Sequence, residues 1–106
     1  MSEKMMPSND PLFPLGATVA TPGAIEALRA AHGERWRLAA AELLTRHSRG
    51  DWCDGGLLCV DDRRANDASI RIGARILSAY DVGGAKVWII TEADRSSTCL
   101  LLPSEY

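Results

Sequence analysis

The chain has little of what would place it in a membrane, in an oxidising compartment or among enzymes with a recognisable motif. Its longest apolar runs, such as Val87 to Ile90 and Cys99 to Leu102, fall far short of the roughly 20 residues that span a bilayer. The amino terminus lacks the apolar core of a secretory signal. A cytoplasmic protein without membrane association is therefore expected. The three cysteines, Cys53, Cys59 and Cys99, are odd in number and form no CxxC pair, which predicts free thiols in a reducing compartment. There is no GxSxG elbow and no glycine-rich phosphate loop. Ser78, Ser96 and Cys53 have no base held near them by spacing. His32, His47, Cys53 and Cys59 form only a nominal zinc set, because C-x5-C lacks the short knuckle of structural zinc sites and the histidines fall on separate helices. No catalytic residue, metal or cofactor is expected.

What is present fits a single small domain. A chain of 106 residues, 46% hydrophobic and 25% charged with a formal net charge of −2, is long enough for one ordinary core. Ten of the twelve basic residues are Arg, a bias that a GC-rich coding sequence explains as well as phosphate contacts do. Residues 1–14 hold three prolines and no hydrophobic period, so they read as a flexible lead-in to a domain over 15–106.

The pattern of elements predicts an α+β fold. The segment "GATVAT" suits a short strand, and Thr21 followed by Pro22 starts a helix that runs to about His32 with Ile25, Leu28 and His32 on its inner stripe. A second helix, about Glu34 to Ser48, places Trp36, Ala40, Leu43 and His47 on one face. Asp61 or Asp62 caps a third helix ending near Ile72 before Gly73, with a thin stripe of Ala65, Ala68 and Ile72; "SIRIGARI" also alternates like a strand. "ILSAYDVGGAKVWIITEA" is a hairpin around Gly83 and Gly84. Pairing Val82 with Ala85 sets Asp81 opposite Lys86 and Arg75 opposite Glu92, two opposite-charge pairs that support this register. A further turn at Arg95 and Ser96 returns the chain as "TCLLL", and Pro103 ends the ladder. The expected architecture is therefore about three N-terminal helices packed on a C-terminal three-stranded antiparallel meander, with a short extra N-terminal strand admitted. The sheet is apolar on both faces, so both need cover, and a homodimer through the Trp88 face is one way to supply it.

Candidate binding residues concentrate where the sheet meets its polar ends: Asp51, Trp52, Arg75, Tyr80, Glu92, Asp94 and Arg95. Glu92 to Ser97 reads first as a salt-bridged turn. Its alternative is a carboxylate and arginine cluster gripping a polar ligand, or a divalent metal held by Glu92, Asp94 and Asp51. Trp52 in "GDW" reads as a lid over the core. Arg35, Arg37, Arg46 and Arg49 make a candidate basic helix face for nucleic acid.

"PLGATVATPGAIEAL", "RHSRGDW", "ILSAY" and "VWIITEADRSSTCLLLPSEY" resemble a family of small plasmid-related proteins carried on plasmids and integrative conjugative elements of proteobacteria. The resemblance runs from about Leu12 to Tyr106. No biochemical activity comes with it. It implies that the positions of His47, Asp51, Trp52, Asn66, Ser78, Tyr80, Trp88, Thr91, Glu92, Asp94 and Arg95 recur, and "GDWCDGG" departs from the family's "GDWGD". Together these readings point to a non-enzymatic accessory protein of a mobile element that binds a partner, expected to be protein, through the polar end of the sheet and the Trp52 loop. The alternatives are a DNA-binding accessory factor and a metal-assisted enzyme.

Overall fold

A computed structural model describes residues 10–106. In order, the elements are β1 (Ala17–Ala20), α1 (Pro22–His32), a 3-10 turn over Gly33–Arg35, α2 (Trp36–Ser48), α3 (Val60–Ile72), β2 (Ile76–Val82), β3 (Ala85–Thr91), β4 (Ser97–Leu101) and a last 3-10 turn over Pro103–Glu105. The sheet is four-stranded and mixed, in the order β1-β4-β3-β2, with β1 parallel to β4. This corrects the expected three-stranded antiparallel meander with three helices stacked on it. The helical part divides in two: Pro22 to Ser48 is helical almost throughout, broken only around Gly33, whereas α3 lies apart against β2. The reason the expectation failed is physical. A strand's partner is not written in its own periodicity, and Ala20 of β1 stands 77 positions before Ser97 of β4.

Local chemistry accounts for the boundaries. The Thr21 hydroxyl accepts from the Ala24 N–H at 3.2 Å and Pro22 follows at the first helical position, so α1 starts where its first amides have a partner. Gly33, at φ 60°, ends it. The Cys59 thiol accepts from the Asp62 N–H at 3.4 Å at the start of α3, and left-handed Gly73 closes that helix. The β2–β3 hairpin has the predicted register from Ile76↔Thr91 to Val82↔Ala85. At the other end of the sheet, Gly16 adopts φ 66° with its α-carbon so close to the Ser96 carbonyl that a Cβ would overlap it. Only glycine lets β1 lie down beside β4 there.

Two cores result. One face of the sheet offers Tyr80, Val82, Val87, Ile89 and Leu100 to Ala24 and Leu28 of α1 and to the half-buried Trp36, Leu43 and Leu44 of α2. Burying one such leucine or isoleucine contributes roughly 1.5–3 kcal/mol. The second core wraps around β2: Phe13, Trp52, Leu58, Ile76 and Ala79 pack with Ile70, Leu77 and Trp88. Phe13 is buried and the Leu12 N–H donates to the Ser48 carbonyl at 2.7 Å, so the chain is fastened from Leu12 onward. The rest of the expected flexible lead-in, residues 1–9, lies outside the described residues. Among those described, no helix is long and apolar enough to cross a membrane.

The inner face of α3 differs from the expected Ala65, Ala68 and Ile72 stripe. Ile72 is 72% exposed, and the buried positions are Asn66 and Ser69. Asn66 acts as a surrogate strand. Its amide donates to the Leu77 carbonyl at 2.6 Å and accepts from the Leu77 N–H at 3.1 Å. Next along the outer edge of β2, the Ala79 N–H donates to Trp52 O and Ala79 O accepts from Asp54 N–H; the Asp81 N–H then donates to the Asp54 carboxylate. That edge is closed along its length, which removes a template for aggregation. Replacing Asn66 by Asp keeps the shape but turns the donor into an acceptor facing a carbonyl, inside a buried site. The expected loss is about 2 kcal/mol of stability at pH 7, read as a lower urea midpoint with an unchanged slope.

Candidate functional site

The turn after β3 is built by its own side chains. The Glu92 N–H donates to Ser97 O at 3.0 Å, the Arg95 N–H donates to Glu92 O at 2.9 Å, and the Asp94 carboxylate accepts from the Ser96 N–H at 2.9 Å. Hydrogen bonds from Ser96 hold the Asp94 carboxyl below the usual carboxylate range. Arg95 carries φ 63°, the only positive value at a non-glycine among the described residues. Its guanidinium turns back under the chain and donates to the carbonyls of Ala74 (2.7 Å), Ser69 (2.9 Å) and Glu92 (3.1 Å), over the Phe13 ring. Ser69 lies in the last turn of α3, where a cation also meets the negative end of the helix dipole.

Glu92 faces Arg75 across the strands, with 3.3 Å between Arg75 Nη2 and Glu92 Oε1. Arg75 also donates to the Tyr106 hydroxyl, and the Tyr106 ring meets Trp88 edge to face at 5.9 Å. Farther along β2 a second cluster forms around Arg46. Its guanidinium lies 4.5 Å from the Tyr80 ring centroid and contacts Asp51 at 2.6 Å and Asp54 at 2.8 Å. The Asp51 hydrogen bond raises the Arg46 pKa above its ordinary value, with Asp54 adding to it. Burial alone would raise the Asp54 carboxyl, but the Asp81 amide and Arg46 outweigh it and the net shift is downward. The Tyr80 hydroxyl is buried and donates to Asp51 O at 2.6 Å.

Between these clusters runs a fully buried polar chain. His47 is bonded through Nδ1 to the Ser78 hydroxyl and through Nε2 to Thr91 Oγ1 at 2.9 Å; Thr91 meets Thr98 at 2.7 Å, and Thr98 donates to the Leu15 carbonyl at 2.7 Å. Proton counting fixes the directions. A carbonyl only accepts, so Thr98 has used its proton and accepts from Thr91; Thr91 in turn accepts from His47 Nε2–H, which leaves Nδ1 to accept from Ser78. His47 is thereby held as the neutral Nε2–H tautomer. Desolvation, reinforced by the charge of Arg95, pushes its pKa down to about 3.

The predicted binding residues thus fall into separate places. Asp51 and Tyr80 belong to the Arg46 cluster, while Arg75, Glu92, Asp94 and Arg95 sit at the other end of β2, and the Trp52 ring packs between them against His47 and Phe13, the ring over which Arg95 lies. Trp52 is a lid over the core as expected, buried and donating to Asp67 at 2.9 Å. Glu92, Asp94 and Asp51 do not converge. No group of three or more His, Cys, Asp or Glu able to hold a metal occurs among the described residues. Of the arginine face, Arg46 is neutralised by two carboxylates, Arg37 lies over the Trp36 ring, and Arg35 and Arg49 are exposed. Sequence reasoning passed over Arg46 as a hub, Asn66 as an edge plug and Tyr106 as the cover of Trp88. Thr98 alone had a usable signal, since a short turn after Thr91 predicts the two hydroxyls side by side.

A different surface emerges from the register. Val19, Cys99, Ile90 and Leu77 form one row across all four strands on the Trp88 face. Val19 is 53% exposed and Tyr106 is 71% exposed, with Cys99 and Trp88 half-buried between them and the Arg75–Glu92 pair on the rim. No protein-family model, curated protein or solved structure matches this chain.

Proposed function

We propose that this chain is an accessory protein of a mobile element that acts by binding a protein partner, through the sheet face bearing Val19, Cys99, Trp88 and Tyr106 with its Arg75–Glu92 rim. One observation carries the reading. The polar side chains His47, Ser78, Arg46, Asp51, Asp54 and Arg95 are committed to bonds inside the fold, whereas this face keeps apolar and aromatic groups accessible beside a charged rim. An apolar centre with a polar rim is the anatomy of a protein contact. The mobile-element setting rests on the sequence resemblance, and a cytoplasmic location on the three unpaired thiols.

The test is affinity capture from a native host with the intact chain and with an Arg75→Glu/Tyr106→Ser double variant, followed by identification of bound protein and nucleic acid. A protein enriched by the parent and reduced at least tenfold with the variant is expected. Identical capture by both, nucleic acid retained at moderate salt as the main partner, or robust turnover in a hydrolase and nuclease screen would overturn the reading.

A further inference from the structure

The two helices that cover the Tyr80 face meet at Gly33, and the bend there gathers positive charge that the fold leaves unneutralised. Arg29 stands in the last turn of α1 and Arg37 in the first turn of α2, so the break between them brings two guanidiniums to one ring. Arg29 lies 5.1 Å from the Trp36 ring centroid and Arg37 lies 4.6 Å from it. Trp36 itself packs against the core beneath the helices, which makes it a fixed platform and holds both forks in place before any ligand arrives. With Gly33 and Glu34 these residues line an open hollow of about 600 Å³. Other arginines of the chain are taken up: Arg46 holds Asp51 and Asp54, Arg75 holds Glu92, and Arg95 donates to three carbonyls. Among the described residues, Arg29 and Arg37 form no ion pair. Glu26 and Glu34 each stand three positions before one of them, a spacing at which helical side chains meet, yet neither takes a fork. Beside the hollow, α2 begins with no side-chain cap and no acidic residue in its first turn, which adds the positive end of its dipole.

We propose that the Arg29–Trp36–Arg37 hollow binds a phosphate monoester. Charge and shape select this class. Two guanidinium forks offer paired donors from two side chains, which suits a dianion with three terminal oxygens better than a carboxylate with two. The carboxylates already within helical reach leave the forks open, in keeping with that preference. A nucleic-acid strand fits less well, because its backbone phosphates carry one charge each and are bound along an extended basic track. Here the basic spot is confined to one hollow on a chain of net charge −2. The ester is carried either by a small metabolite or by a phosphorylated protein side chain, and both present the same anion. The hollow lies on the helical side of the sheet, away from the Trp88 face, so it stands or falls separately from the partner-binding reading.

An NMR titration of the intact chain reads the site directly, through the indole N–H of Trp36 and the Nε–H signals of Arg29 and Arg37. The probes are inorganic phosphate, adenosine monophosphate and a short phosphoserine peptide, each set against sodium chloride at matched ionic strength. Saturable shifts at these three residues are expected, with a dissociation constant on the order of 1 mM for inorganic phosphate. The ester that binds more tightly identifies the source, and equal affinity assigns recognition to the phosphate alone. Arg29→Gln and Arg37→Gln should each weaken phosphate at least about fivefold with melting unchanged, since both side chains are exposed. Arg63→Gln makes the same charge change on the exposed surface of α3 and should weaken it less than about twofold. Glu34→Gln removes a like charge from the lining and should tighten it about twofold. Shifts no larger than those caused by chloride, equal losses in Arg29→Gln and Arg63→Gln, or a single-stranded oligonucleotide binding more tightly per phosphate at moderate salt would overturn the proposal.

Discussion

Replacing His47 with alanine is expected to cost about 4 kcal/mol of folding stability at pH 7, most of the margin of a domain this size. Two losses add. The imidazole leaves a void beneath Phe13 and Trp52, whose rings lie 5.3 and 6.0 Å from it. The hydroxyls of Ser78 and Thr91, both 0% exposed, lose an acceptor and a donor inside a buried site. Urea titration measures the difference directly. A triple variant, His47→Leu with Ser78→Ala and Thr91→Val, removes the stranded polar groups and should recover part of the loss. Recovery beyond that of His47→Leu alone, which refills the void but leaves both hydroxyls stranded, identifies the cost as unsatisfied polarity and not as volume alone.

The same residue makes the protein acid-sensitive. Folded, His47 holds its pKa near 3; unfolded, it takes a proton near 6.5. Between those values the unfolded chain binds more protons, so stability is full above about pH 6.5 and falls as the pH drops toward 3. From pH 7 to pH 5 the expected loss is about 2 kcal/mol. In His47→Ala this loss should disappear, and an unchanged slope there would assign the acid sensitivity to another group.

Arg95→Ala is expected to lose about 3 kcal/mol, and Arg95→Gly about 1 kcal/mol less. Glycine is ordinarily the more costly residue. Here the order reverses because position 95 sits at φ 63°, where alanine retains the strain and glycine does not. Both variants abandon the carbonyls of Ser69, Ala74 and Glu92, which join the end of α3 to the β3–β4 turn. Both also remove the positive charge that helps depress His47, so the folded His47 pKa rises and the loss of stability on acidification, which starts near pH 6.5 as before, levels off at a higher pH and is smaller in total. Parallel melts of the two variants at pH 7 check the order, and a series from pH 5 down to pH 3 against the parent checks the coupling.

The hairpin was legible in the chain because its ends carry charges. Asp81 against Lys86 and Arg75 against Glu92 are compatible with one register, and a shift by one residue would expose the buried Tyr80, Val87 and Ile89. Helix ends were legible for a similar reason, since Thr21, Pro22 and Gly73 are local signals with local effects. What escaped was long-range and polar. The parallel pairing of β1 with β4 leaves no mark in either strand, and Asn66 faces inward on a helix whose apolar period suggested another face. Asp51 and Glu92 looked like partners by composition, yet each was claimed by a nearer arginine. Short-range ion pairing decided where the carboxylates went, and no spacing rule anticipates that.

The carboxylate of Glu105 accepts from the Thr21 hydroxyl at 2.5 Å, from the Gly23 amide at 3.1 Å and from the Leu102 amide at 2.8 Å. That clasp, with the parallel ladder beside it, ties the first helix to groups more than eighty positions downstream. On a ribosome the beginning of this domain therefore emerges long before its mates exist. Ala17 to Ala20 must wait, uncharged and without their partner strand, until Ser97 to Leu101 have been made, so the sheet is completed only when β4 emerges.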